Sequence, residues 1–140
     1  LFWQILEGRN RIPFTLFEAA VETDAGAVYL TDELQLRGDE LYQEIRRAQA
    51  RKTIAMCEKF LKNYDQLRPS KQKGARSFYR KRNAVDSELD IDTSIRSQFD
   101  LFRIVNNKDF PAFFHYRGCK YNVKIYKEAA ATGDHDIPKQ

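Results

Sequence analysis

The sequence has little sulfur and little backbone punctuation. Of 140 residues two are cysteine, one is methionine and one is tryptophan. Cys57 and Cys119 stand far apart, with no CxxC pair and no ligand spacing toward His115 or His135. That excludes a disulfide scaffold and a clustered metal centre, so no metal is expected. Both thiols are expected to be reduced and partly buried, as suits a cytoplasmic protein. No apolar run approaches the ~18–20 residues needed to span a bilayer. No basic-then-apolar leader stands at the start. The six glycines form no phosphate-cradling loop, and GxSxG and HExxH are both missing. There is no internal repeat.

What is present is a mixed, well-charged chain. Apolar residues make up 42% and charged residues 31%, enough for a core in one domain or in pieces of two. The net charge of +4 comes from 24 basic and 20 acidic side chains. That mild excess does not make a nucleic-acid surface, and no nucleic-acid partner is expected. The chain opens on Leu1-Phe2-Trp3. This reads as a cut through a helix, and the sequence is expected to be a fragment of a longer protein.

In chain order, Phe2, Ile5 and Leu6 share a helical face, and Gly8 is a stop. Phe14 to Ala20 reads as a strand, and Ala27 to Leu30 as another, continuing toward Leu36. Asp39 is placed to cap a long helix that starts at Glu40 and meets neither Gly nor Pro before Pro69. Leu41, Ile45, Ala48, Ala55, Met56, Phe60 and Tyr64 recur along it at helical spacing. Its other face carries Arg46, Arg47, Arg51, Lys52, Lys59 and Lys62, read as a solvated face or a polyanion site. Residues 67–76 carry Pro69 and Gly74 and read as a linker. Ser77-Phe78-Tyr79 reads as a short strand. Asp92, Thr93 or Ser94 can cap a helix whose apolar positions are Ile95, Phe99, Phe102 and Ile104 or Val105. Phe113 to Tyr116, a Gly118 turn and Tyr121 to Tyr126 form a hairpin. Residues 129–140 are a polar tail. The domain division is therefore 1–66, linker 67–76, a helix-plus-hairpin module at 77–128, and the tail.

Two places could carry chemistry. Asp24 is a carboxylate in a loop after a strand, beside Ala25-Gly26, where a ligand could approach the backbone. Its plainer reading is a turn former, and Glu18 and Glu22 compete with it. Arg80-Lys81-Arg82, followed by Asp86-Ser87-Glu88, could hold a phosphate or diphosphate, with Phe78 and Tyr79 stacking on a base. Its plainer reading is a solvated charged loop. His115, within an alternating strand, reads as a packed or edge histidine.

Taken in series, Trp3-Gln4-Ile5-Leu6-Glu7-Gly8, Phe14-Thr15-Leu16 and Thr23-Asp24-Ala25-Gly26-Ala27-Val28 resemble the catalytic domain of 10-formyltetrahydrofolate-dependent formyltransferases. In that family a W-x-I-x-x-G helix end leads to a G-V-T-L-H strand and then to D-A-G-x-I. Downstream, Phe78 to Asp90 resembles R-R-x-P-x-D-S-x-I-D, with the proline of that motif replaced near Ala84. Phe102-Arg103-Ile104-Val105 with Phe110 to Phe114 resembles L-V-R-A and P-Y-P-G-A-F. Phe17 departs from the strand histidine, Pro13 from the glycine before it, and Ala112 from the glycine after Pro111.

The resemblance implies an α/β fold: the C-terminal part of a Rossmann-like formyltransferase domain, followed by a small α+β appendage ending in a β-hairpin. It implies an enzyme that moves a formyl group from 10-formyltetrahydrofolate, its co-substrate, to the amine of an amino-sugar nucleotide, as in polysaccharide biosynthesis. The short tail after Pro111 favours the sugar branch over the methionyl-tRNA branch. Asp24 is implied as the catalytic carboxylate. Val21, Glu22, Thr23 and Asp24 are implied to line the folate pocket. Trp3, Phe78, Tyr79, Arg80 and Arg82 are the expected contacts for the sugar nucleotide. The family's catalytic Asn and His lie in a segment ahead of Trp3, so this stretch alone is expected to be inactive. A homodimer through the hairpin region is a further expectation. The alternative from another class is a non-catalytic interaction domain using Lys71 to Arg82 on an acidic partner.

Overall fold

The computed structural model describes residues 1–20, 26–72 and 78–128. Helix α1 (Phe2–Leu6) ends as expected at Gly8, which takes the left-handed conformation (φ +76°) and donates its N–H to Ile5 O at 2.8 Å. Strand β1 (Arg11–Phe17) pairs antiparallel with β2 (Val28–Gln35), Arg11 opposite Gln35 and Leu16 opposite Leu30, with a bulge after Leu16. β1 thus starts before Pro13 and stops short of Ala20. The proline is tolerated for a reason of phase. Leu36 N donates to Asn10 O at 2.8 Å, so bonded pairs fall on even-numbered residues of β1. The missing N–H of Pro13 faces away from β2, on the edge of β1 that has no partner strand among the described residues.

Helix α2 (Tyr42–Asn63) packs on β2, with Ile45 and Met56 buried. Each such side chain contributes about 1.5–3 kcal/mol when fully removed from water. Asp39 does not cap it. Glu44 Oε2 accepts the Leu41 N–H at 2.9 Å, while Asp39 pairs with Arg37 at 3.0 Å and with Lys127 at 3.1 Å. The rest of the turn before α2 is held by a buried ion pair. Arg103, 1% exposed, reaches Glu40 Oε2 at 3.3 Å and Asp100 at 2.8 Å. Glu40 also accepts the N–H groups of Arg37 (2.7 Å) and Gly38 (3.0 Å). Burial by itself raises the Glu40 carboxyl, but these N–H donors and the Arg103 charge outweigh it and hold it below its ordinary value.

The segment after α2 folds back on the sheet. Val28 N donates to Ser70 O at 2.7 Å and Ser70 N to Val28 O at 2.9 Å. Phe78 and Tyr79 are not in a strand. Helix α3 (Phe99–Ile104) is shorter than the apolar spacing predicts. Gln98 bonds Asp90 N and O at 3.1 and 3.0 Å, and the Ser94 and Ser97 hydroxyls bond each other and the local backbone. These side chains offer residues 90–98 an alternative to helix, and Ile95 is left exposed rather than buried.

Strands β3 (Ala112–Tyr116) and β4 (Cys119–Val123) form the expected terminal hairpin. Arg117 and Gly118 both have positive φ (48° and 77°), the backbone of a tight two-residue turn matched to strand twist. Leu89 N donates to Phe113 O at 2.6 Å on the other side of β3. Two clusters form the core. Ile5, Ile12, Leu34, Leu36, Ile45 and Ile104 make the first. Leu89, Phe102, Val105 and Ala112 make the second, and Leu101 packs against both. Residues on both sides of the expected linker therefore share one cluster. Both cysteines are free thiols and exposed, not partly buried. Among the described residues no helix is long and apolar enough to cross a membrane, and no cluster of metal-ligand side chains occurs.

Candidate functional site

The loop between β1 and β2 is defined at its stem. Glu18 N donates to Ala27 O at 2.9 Å and continues the ladder past the bulge. Gly26 lies against the opposite strand end, where a Cβ would overlap the Glu18 carbonyl oxygen. Only glycine fits this approach. Gln72 Nε2 donates to Gly26 O at 3.1 Å, beside the Ser70–Val28 pair. The returning segment thus fastens the base of the loop. Val21, Glu22, Thr23 and Asp24, the expected catalytic and folate-binding residues, lie outside the described residues.

A second constellation joins α1 to residues 79–87. Trp3 Nε1 donates to Arg80 O at 2.7 Å, and the Arg80 guanidinium lies 4.8 Å from the centre of the same indole. Both terminal nitrogens of Arg80 are committed to Asp86, Nη1 to Oδ2 at 2.8 Å and Nη2 to Oδ1. The Arg80 contact, with the Asn83 N–H at 2.7 Å, brings the Asp86 carboxyl down to about 2. The Arg80 guanidinium is raised in turn by Asp86. Tyr79 donates its hydroxyl to Glu7 Oε2 at 3.1 Å, which raises the phenol. Arg82 Nη2 donates to Asp86 O at 2.9 Å, and burial pushes its guanidinium below the usual value. Beside Arg82 a cavity of about 150 Å³ is lined by Phe2, Tyr42, Asn83, Ser87 and Asn106.

Of the five residues expected to contact a sugar nucleotide, Trp3, Tyr79 and Arg80 come together, and Arg82 stands behind them through Asp86. Phe78 does not join them and is 93% exposed. With Asp86 ionised, the terminal nitrogens of Arg80 are already taken. Its placement orders the indole rather than offering a free phosphate clamp. The sequence places Asp86 in the same candidate segment as Arg80 but does not foresee that it pairs with Arg80, and it gives Glu7 no role. The signal for Asp86 was present: Asn83-Ala84-Val85-Asp86 is a reciprocal capping pattern, and it caps a short 3₁₀ turn (Ala84–Ser87). His115 is an exposed edge residue as expected, with Nδ1 2.8 Å from Glu88 Oε1.

No family model matches the chain, and no curated protein sequence matches it. Solved structures do match. Methionyl-tRNA formyltransferase from Clostridium thermocellum superposes with a TM-score of 0.72 at 19% identity, over 91% of this chain and 56% of that one. A 4-N formyltransferase from Francisella tularensis gives 0.70 at 17% identity, over 92% and 56%. A sugar N-formyltransferase from a Shewanella species gives 0.62 at 17% identity, over 92% and 55%. The chain therefore spans a little over half the length of these structures, and it has the fold of a formyltransferase C-terminal portion.

Proposed function

We propose that this chain is part of an N-formyltransferase that moves a formyl group from 10-formyltetrahydrofolate to the amine of an amino-sugar nucleotide. The observation that carries the reading is the joining of two distant motifs: Trp3 of the first and Arg80–Asp86 of the second form one hydrogen-bonded unit. The likeness in fold to sugar N-formyltransferases supports it. In this reading the Trp3 indole, held from behind by Arg80, presents a flat face to the nucleotide or sugar. Tyr79 and Arg82 set the position of that face. Lys81, which has no ion pair among the described residues, is available to the diphosphate.

The chemistry requires an amine to attack the formyl carbon, donors for the oxyanion that forms, a base for the proton the amine releases, and collapse of the tetrahedral intermediate with cleavage of the bond from the formyl carbon to folate N10, which is protonated and leaves as tetrahydrofolate. Asp24 is the residue of this chain assigned to that step, holding and charge-stabilising an imidazolium. Val21, Glu22 and Thr23 offer main-chain groups to the pterin. The imidazole and the carboxamide of the reaction come from elsewhere in the complete enzyme, so this stretch alone is inactive. The test is to incubate the full-length protein with 10-formyltetrahydrofolate and a panel of amino-sugar nucleotides and to look for the formamide by mass spectrometry. Absence of any formylated sugar, with formylation of methionyl-tRNA instead, overturns the acceptor. Absence of both overturns the reaction.

A further inference from the structure

The outward side of α2 carries apolar side chains with nothing over them among the described residues. Ile45 and Met56 turn the buried face toward the sheet. On the opposite side lie Ala50, Ile54, Cys57 and Leu61, all exposed, with Ile54 at 59% and Leu61 at 73%. Their spacing of four, three and four runs a single seam along the helix, the spacing at which helices mesh.

The charge around the seam selects the partner. From Arg46 to Lys62 the helix holds six cations and one acid, Glu58. Lys52 is taken by Asp32 at 2.9 Å, whereas Arg47, Arg51 and Lys62 have no ion pair among the described residues. A second copy of this face would set cations against cations. A phosphate backbone would meet the cations and leave Ile54 and Leu61 in water. A lipid surface needs a broad apolar face, and the broad face of α2 is spent on β2. Arginine flanks favour planar carboxylates, which they grip with two hydrogen bonds.

We infer that the outward face of α2 is a docking surface for an acidic amphipathic helix of another protein. The apolar stripe of that helix meshes with Ile54 and Leu61, and its flanking carboxylates pair with Arg47 and Arg51. The inference is independent of the formyl-transfer reading.

The test uses the full-length protein and a synthetic helical peptide of about three heptads, with Leu at the seam positions and Glu at the flanks. A matched peptide carries Lys at the flanks. Fluorescence anisotropy should show binding of the Glu peptide that weakens with salt, and about ten-fold weaker binding of the Lys peptide. Ile54→Ser with Leu61→Ser should abolish binding. Arg47→Glu with Arg51→Glu should reverse the preference between the two peptides. Bound Glu peptide should slow alkylation of Cys57 and leave Cys119 reactive. All four substitutions lie on the exposed face, and unchanged thermal melts confirm that the variants fold. Equal affinity for the two peptides, no binding of either, self-association lost on Ile54→Ser, or binding of phosphatidylglycerol vesicles that the Glu peptide does not displace would each overturn the inference.

Discussion

Trp3 and Arg80 hold each other in two ways at once: the indole N–H donates to the Arg80 carbonyl at 2.7 Å, and the Arg80 guanidinium covers the ring at 4.8 Å. The first interaction needs only the indole nitrogen. The second needs a flat ring and a cation held still. Trp3→Phe keeps the ring and loses the donor. It should cost about 1 kcal/mol in urea unfolding, whereas Trp3→Ala should lose both interactions and cost more.

Asp86 is the group that holds the cation still. Its carboxyl lies at about 2, so a folded-state value depressed below the unfolded one stabilises the protein above the unfolded value. That contribution is lost as pH falls through about 2. The Asp86 carboxyl resonance should titrate there, well below the ordinary carboxylates, and Trp3 fluorescence should stay flat from neutral pH down to that point. Asp86→Asn should remove the low titration and move Trp3 fluorescence at neutral pH. A midpoint near 4 in the wild type would contradict the geometry.

Arg103→Met should be severe. It leaves Glu40 buried without its cation, and removal of one partner of a buried pair costs about 3–5 kcal/mol. The double variant Glu40→Gln with Arg103→Met should lose less than the single one, a coupling that a double-mutant cycle reads directly. The Glu40 carboxyl is held low, so its stabilisation is present above the unfolded carboxyl value and is lost as pH falls through the folded value. Glu40→Gln should therefore flatten the fall in melting temperature on the acid side.

Gly26→Ala should be poorly tolerated although alanine is small. Its Cβ would meet the Glu18 carbonyl oxygen, a backbone atom with no rotamer to give. A loss of about 1–3 kcal/mol is expected, as for overpacked sites. Gln72→Ala, which releases only the tie to Gly26 O, should cost less and leave the fold unchanged by circular dichroism.

If the proposed reaction holds, Asp24→Asn in the full-length protein should lower turnover by several orders of magnitude with little change in KM, because the proposal gives this carboxylate the charge-stabilising role at the proton-transfer step. Unchanged turnover would remove Asp24 from the reaction and favour a binding role for this region.

The sequence made some of this legible and hid the rest. The long helix was readable because no Gly or Pro interrupts it and its apolar spacing is regular. The hairpin was readable because Gly118 marks its turn. The limits of β1 were not readable, since Pro13 looks like a boundary until the phase of hydrogen bonding shows its nitrogen facing outward. The start of α3 lies later than its spacing suggests because Gln98, Ser94 and Ser97 compete with helical bonding through side chains that periodicity ignores. Residues 70–72 read as a linker by composition. The bonds of Ser70 to Val28 use backbone groups that any sequence could supply, and the Gln72 side-chain amide that reaches Gly26 O carries no pattern of its own. Trp3 and Arg80 were each singled out, but their meeting was not visible, because 77 positions separate them.

The pairing of Glu40 with Arg103 also sets an order of assembly. The two lie 63 positions apart, and Lys127, which closes on Glu44 at 3.2 Å, comes later still. During synthesis the carboxylate that anchors the start of α2 leaves the ribosome long before its cation does. Burying it early would leave an uncompensated charge. Closure of this turn is therefore expected to follow the emergence of Arg103.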